Sequence, residues 1–90
     1  MQSAPERGEV RQAFGETLVK LRREADLSQE QLAFEAGVDR RYMSGLERGL
    51  HSPSLETILK LLRALKVSFS TFAREYEATR KRIRRDKSPK

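Results

Sequence analysis

Apolar positions recur along the chain in steps of three and four. The first run is Val10, Phe14, Leu18, Leu21 and Ala25, with Arg11, Gln12, Glu16, Lys20, Arg23 and Glu24 on the other side. That is the stripe of an amphipathic helix. Asp26-Leu27 breaks it. Ser28-Gln29-Glu30-Gln31 has the form of a capping box. In that motif the serine hydroxyl accepts from the N–H of Gln31, and the Gln31 side chain returns to the N–H of Ser28. The short helix behind it turns Leu32, Ala33 and Ala36 inward and stops at Gly37, where a positive φ is wanted. Asp39 suits the N-cap of a third helix, and Val38 and Met43 have the spacing of a hydrophobic staple.

Only Gly37 and Val38 separate these two short helices, so they must cross steeply, as in a helix-turn-helix unit. Gly49 ends the third helix, and Leu50-His51-Ser52-Pro53 reads as a loop. Ser54 caps a fourth helix with an expected inward stripe of Leu55, Ile58, Leu59, Leu62 and Leu65. After Val67-Ser68, the residues Phe69, Phe72, Ala73 and Tyr76 form a fifth stripe. No alternation of β period interrupts the pattern. The expected fold is all-α, a five-helix domain over residues 9–78. A disordered leader is expected at residues 1–8, and a basic tail or helix extension at 79–90.

Composition narrows the function. Ninety residues allow one domain, and 19 Lys/Arg against 13 Asp/Glu give a net charge of +6. That balance points to anionic partners, nucleic acid or a membrane surface. The chain has no cysteine and one histidine, His51, so disulfides and cysteine or multi-histidine metal sites are excluded. No cofactor is expected. No nucleophile–base constellation appears, so catalysis is not expected. The apolar runs are too short to span a bilayer, and residues 1–8 lack the apolar core of a signal peptide. The expectation is a cytoplasmic, nucleoid-associated protein without a membrane partner.

On a helical wheel of the third helix, Met43 and Leu46 fall together. Arg41, Ser44, Gly45 and Arg48 fall opposite, with Arg40 at the edge. The outward face thus carries guanidinium groups around a small, flat centre. A helix that lies in a major groove needs such a centre, and donors that reach base edges or phosphates. A glycine inside a helix costs about 1 kcal/mol against alanine, which close approach of another surface at Gly45 would explain.

Four ordered segments carry a family resemblance: Leu27-Ser28-Gln29-Glu30-Gln31-Leu32-Ala33, Ala36-Gly37-Val38, Tyr42-Met43-Ser44-Gly45-Leu46-Glu47-Arg48-Gly49 and Pro53-Ser54-Leu55-Glu56-Thr57. Together they resemble the lambda-repressor/Cro type of helix-turn-helix domain, the xenobiotic-response-element family, over about residues 10–73. The resemblance implies a DNA-binding transcriptional regulator of repressor or controller type, acting as a homodimer on a palindromic operator of double-stranded DNA. It places Arg40 and Arg41 at base-reading positions, and Gln29 and Arg48 at phosphate-contacting ones. Gly45 becomes base-proximal, and Tyr42 and Ser44 become candidate backbone contacts. Relatives often carry glutamine where this chain has Arg40 and Arg41. Arginine suits either guanine O6 and N7 or phosphate. Arg22 and Glu47 match positions that form a buried ion pair in some relatives, the alternative being two solvated charges.

The remaining signals are weaker. His51 reads as a solvated or phosphate-near side chain. Phe34 lies on the polar side of its helix and is expected to pack on a neighbouring one. Tyr76 and Ile83 continue the fifth stripe beyond the family domain and suggest a dimer seam, the alternative being a helix that frays after Tyr76. Residues 74–90 hold eight Lys/Arg against three Asp/Glu, so most of the net charge sits in a segment expected to be a solvated tail. The rival function is an antitoxin-like interaction module that binds a partner protein as well as DNA.

Overall fold

The computed structural model describes residues 6–87. Five helices follow in order: α1 (Arg7–Glu24), α2 (Gln29–Ala36), α3 (Arg40–Glu47), α4 (Leu55–Leu65) and α5 (Phe69–Lys87). The described residues form no strand. The fold is all-α and lambda-repressor-like.

The local signals act as the sequence implies. Ser28 closes its capping box with Gln31, at 3.0 Å in one direction and 2.7 Å in the other. Gly37 takes φ +70° and ends α2. Asp39 caps α3, its carboxylate accepting from the N–H of Arg41 at 2.7 Å. Ser54 and Ser68 cap α4 and α5 in the same way. Helix α1 starts at Arg7, inside the expected leader of residues 1–8, and the carbonyl of Glu6 accepts its first backbone hydrogen bond, from Val10 at 3.0 Å. Residues 1–5 and 88–90 lie outside the described residues.

The core is one cluster between α1, α2, α3 and α4, closed by Phe72 of α5. Leu32, Met43, Leu46 and Leu61 are its most completely buried large side chains. Phe14 meets Phe72 edge-on, with ring centroids 5.8 Å apart. Two helix faces differ from the expected stripes. Leu55 and Leu59 of α4 are 61% and 49% exposed, while Leu61 is buried. Helix α4 packs on α2, which covers the arc through Leu61, Leu62 and Leu65 and leaves the Leu55–Leu59 edge outside. Phe69, expected in the core, is 50% exposed at the first position of α5.

The basic C-terminal segment is helical to Lys87 and lies antiparallel on α1. Glu9 receives Arg80 at 3.2 Å and Arg84 at 3.5 Å. Glu16 pairs with Arg82, and Lys20 with Glu75. The bond to Glu75 raises the Lys20 ammonium above its ordinary value. Between these pairs Ile83 is only 2% exposed. The expectation of Ile83 as a seam residue or a lone apolar residue in a frayed end is therefore corrected: α1 covers it within the monomer. Tyr76 is half-buried beside Phe72, and burial raises its phenol above the usual value.

Helix α1 comes close to the backbone at the end of α3. A Cβ on Gly15 would lie 2.6 Å from the carbonyl oxygen of Glu47 and 2.7 Å from that of Leu46. Those are backbone atoms, so a side chain there must push the helices apart. Gly15→Ala should therefore lower stability by about 2 kcal/mol or more, as overpacking does. Gly8→Ala, with nothing within 4 Å of the added carbon, should lose none. Urea unfolding of both variants checks this.

Candidate nucleic-acid interface

Helix α3 is eight residues long and cannot be stable alone. It is held by what lies behind it. Met43 and Leu46 enter the core, and Glu47 accepts from two other parts of the domain. The Arg22 guanidinium of α1 grips it with two hydrogen bonds, Nε to Oε2 at 2.6 Å and Nη2 to Oε1 at 3.1 Å. Gln29, the first residue of α2, donates its amide to Oε1 at 2.9 Å. The remaining Arg22 nitrogen donates to the carbonyl of Leu27 at 2.9 Å, in the turn before α2. The Arg22 and Glu47 side chains are 13% and 5% exposed, so the pair is the buried one. Its hydrogen bonds to Glu47 push the Arg22 guanidinium above its ordinary value, against the opposing effect of burial.

The opposite side of α3 carries the candidate contacts. Arg40, Arg41 and Arg48 are exposed, and Tyr42 and Ser44 are half-buried. Gln29 is half-buried, its amide nitrogen engaged with Glu47. Gly45 departs from its expected part as an open, base-proximal centre. It is buried, because the His51 side chain lies over it. A Cβ at Gly45 would stand 2.5 Å from Cδ2 and 2.7 Å from Nε2 of that ring. The close approach is thus made by the protein's own loop. His51 also stacks on Tyr42, with centroids 5.7 Å apart and planes inclined by 27°.

The loop after α3 folds back over this face. Gly49 takes φ +76°, and the N–H of Leu50 donates to the carbonyl of Gly45 at 2.9 Å. Arg11 of α1 donates to the Ser52 hydroxyl at 3.1 Å. His51, expected as a solvated or phosphate-near side chain, thus has contacts with Gly45 and Tyr42 that were not expected. Their only trace in the sequence is an outward glycine six residues ahead of an aromatic side chain. Phe34, expected to pack on a neighbouring helix, is 86% exposed, since α3 and α4 take up the other faces of α2.

The described residues contain no cluster of His, Asp or Glu fit to hold a metal ion. What the site offers is three exposed guanidinium groups, hydroxyls, an imidazole and helix N-termini on a supported scaffold. That chemistry suits phosphate oxygens and base edges.

The ion pair behind α3 carries a stability prediction. Arg22→Ala strands the Glu47 carboxylate and should cost about 3 kcal/mol. Arg23→Ala, at an exposed position, should change stability by less than about 0.5 kcal/mol. Equal melting temperatures for the two variants would contradict the pairing.

Comparison with known proteins agrees with this geometry. A family model described as helix-turn-helix matches residues 18–72. The HTH-type transcriptional regulator y4dJ of Sinorhizobium fredii is 38% identical over 60 residues, which span 67% of this chain and 78% of that protein. The restriction-modification controller protein C.AhdI of Aeromonas hydrophila has a TM-score of 0.65 and 45% identity, over 73% of this chain and 94% of its own. The controller protein C.Esp1396I, solved as a tetramer in complex with its natural 35-base-pair operator, has a TM-score of 0.75 and 25% identity, over 79% of this chain and 93% of its own. The chain belongs to the lambda-repressor/Cro-type helix-turn-helix family of DNA-binding transcriptional regulators.

Proposed function

We propose that this protein is a controller-type regulator that binds a palindromic operator as a homodimer, with α3 lying in the major groove. The observation that carries the reading is the two-sided build of α3. Its inner side is fixed by Met43, Leu46 and the Arg22–Glu47–Gln29 network, while Arg40, Arg41 and Arg48 stand exposed on the outer side. The similarity to controller proteins, one of them solved on its operator, supports the same reading. Arg40 and Arg41 are assigned to base edges, and Gln29, Tyr42, Ser44 and Arg48 to the backbone. No described helix is long and apolar enough to cross a membrane. The site of action is then the cytoplasmic nucleoid.

The homodimer finds its support on the α4–α5 face. Leu55, Leu59 and Phe69 are 61%, 49% and 50% exposed; the two leucines flank the partly buried Ile58 on α4, and Phe69 opens α5. Single exposed apolar residues are ordinary, but a cluster of large ones on a small domain marks an interaction surface. The seam is thus assigned to Leu55, Leu59 and Phe69, with the half-buried Tyr76 kept beside them and the buried Ile83 excluded. In a two-fold dimer the two α3 helices would lie about 34 Å apart, one turn of DNA. A partner-protein role like that of antitoxins is the second reading, favoured by the exposed Phe34 on α2.

Selection of binding sites from a randomised DNA library with the full chain should return a palindrome. Recovery of no common sequence would contradict the reading. Arg41→Ala should then relax preference at one base pair in each half-site, with a loss of about 1–3 kcal/mol on the selected operator.

A chain carrying both Leu55→Arg and Leu59→Arg should sediment as a monomer, keep its melting temperature within a few degrees and lose most operator affinity. An undisturbed dimer would reject the seam.

A further inference from the structure

We propose that the cleft between α1, α4 and α5 is a binding site for a small aromatic carboxylate, a single ring of benzoate's size.

The cleft has a volume of about 200 Å³. Its apolar walls are Val10 and Phe14 of α1, Pro53 of the loop after α3, Ile58 of α4 and Phe72 of α5. Protein interiors leave few voids larger than a water molecule. A cavity of about 150 Å³ with such walls stays dry and admits benzene, because water finds no polar partners in it. The space here therefore suits one substituted ring. Its walls also favour an aromatic one. Phe14 meets Phe72 edge-on with centroids 5.8 Å apart, and Tyr76, which also lines the cleft, follows Phe72 at 6.1 Å. A further ring against this row can make the same edge and offset contacts.

Charge selects the other end of the ligand. Arg11 and Ser52 are polar members of the lining. Arg11 Nε donates to the Ser52 hydroxyl at 3.1 Å, and among the described residues the guanidinium has no carboxylate partner. Arg22, Arg80 and Arg82 by contrast each meet one. Arg11 is half-buried, so its charge is partly removed from water with no anion beside it. Its two Nη groups remain to take a carboxylate in the two-pronged manner of a guanidinium. An apolar space of ring size beside an uncompensated guanidinium is the complement of an aromatic acid. The bond from Nε to Ser52 can stay in place, so such a ligand would bridge α1, α5 and the loop that joins α3 to α4.

The test is a titration of the isotope-labelled full chain, followed through its amide NMR signals. The probes are benzoate, benzyl alcohol as a neutral molecule of similar shape, and acetate as the charge without the ring. Benzoate should shift the signals of Val10, Phe14, Ile58 and Phe72 and bind tighter than benzyl alcohol by about fivefold or more. Acetate should leave those signals unmoved. Arg11→Met should bring benzoate down to the affinity of benzyl alcohol, while the neutral probe binds as before. If that variant does not fold, the comparison of benzoate with benzyl alcohol on the wild type decides the matter. Four results overturn the proposal. The first is no shift with either ring compound. The second is a benzoate shift scattered over the exposed arginines instead of the cleft. The third is a benzoate affinity that equals that of benzyl alcohol or survives Arg11→Met. The fourth is binding only to the chain carrying Leu55→Arg and Leu59→Arg, which would assign the cleft to a side chain of a second copy.

Discussion

The hydrogen-bonded ion pair between Arg22 and Glu47 is the constraint on which the rest depends. Glu47 is the last residue of α3, and three separate parts of the chain converge on it or on its partner. The long helix α1 brings the guanidinium, α2 brings Gln29, and the turn between them offers the carbonyl of Leu27. A buried carboxylate without partners would be expelled by its desolvation cost. With both oxygens bonded it becomes a fixed point that sets where α3 ends relative to α1 and α2. Gly15 lets the same end of α3 approach α1 backbone to backbone. An eight-residue helix gains its orientation from these contacts rather than from its own propensity.

That arrangement changes what the net charge of the chain means. Three of the basic residues of α5 are not free cations. Arg80, Arg82 and Arg84 reach the acidic residues of α1, and Ile83 is buried between them. Each of these exposed or half-exposed pairs is worth little alone. Together with Ile83 they dock a long helix along α1, which in turn carries Arg22. On α3, Arg40, Arg41 and Arg48 stand exposed on the side away from the core.

Much of the fold is legible in the sequence because its signals are local. Ser28 with Gln31, Gly37, Asp39 and Ser54 act within four residues of themselves, and each caps or ends the helix that its type implies. The placement of Arg22 with Glu47 was legible only through family resemblance, since nothing local brings together two residues 25 positions apart. Three features were hidden for one reason: they depend on which helix covers which. Leu59 and Leu61 are equally apolar, and only the position of α2 decides that the second is inside. Ile83 looks solitary until α1 is laid beside it. Gly45 looks open until the loop carrying His51 folds back over it. A periodicity defines a face, but it does not say what will lie against it.

Arg22 and Glu47 form a buried, mutually dependent pair that holds α3 in place. A double-mutant cycle on stability tests it most directly, with Arg22→Met, Glu47→Leu and the two combined, each measured by urea unfolding. Each single variant should be destabilised by about 3 kcal/mol because a charge is stranded, and the double variant should be more stable than either single one. Losses that simply add in the double variant would contradict it.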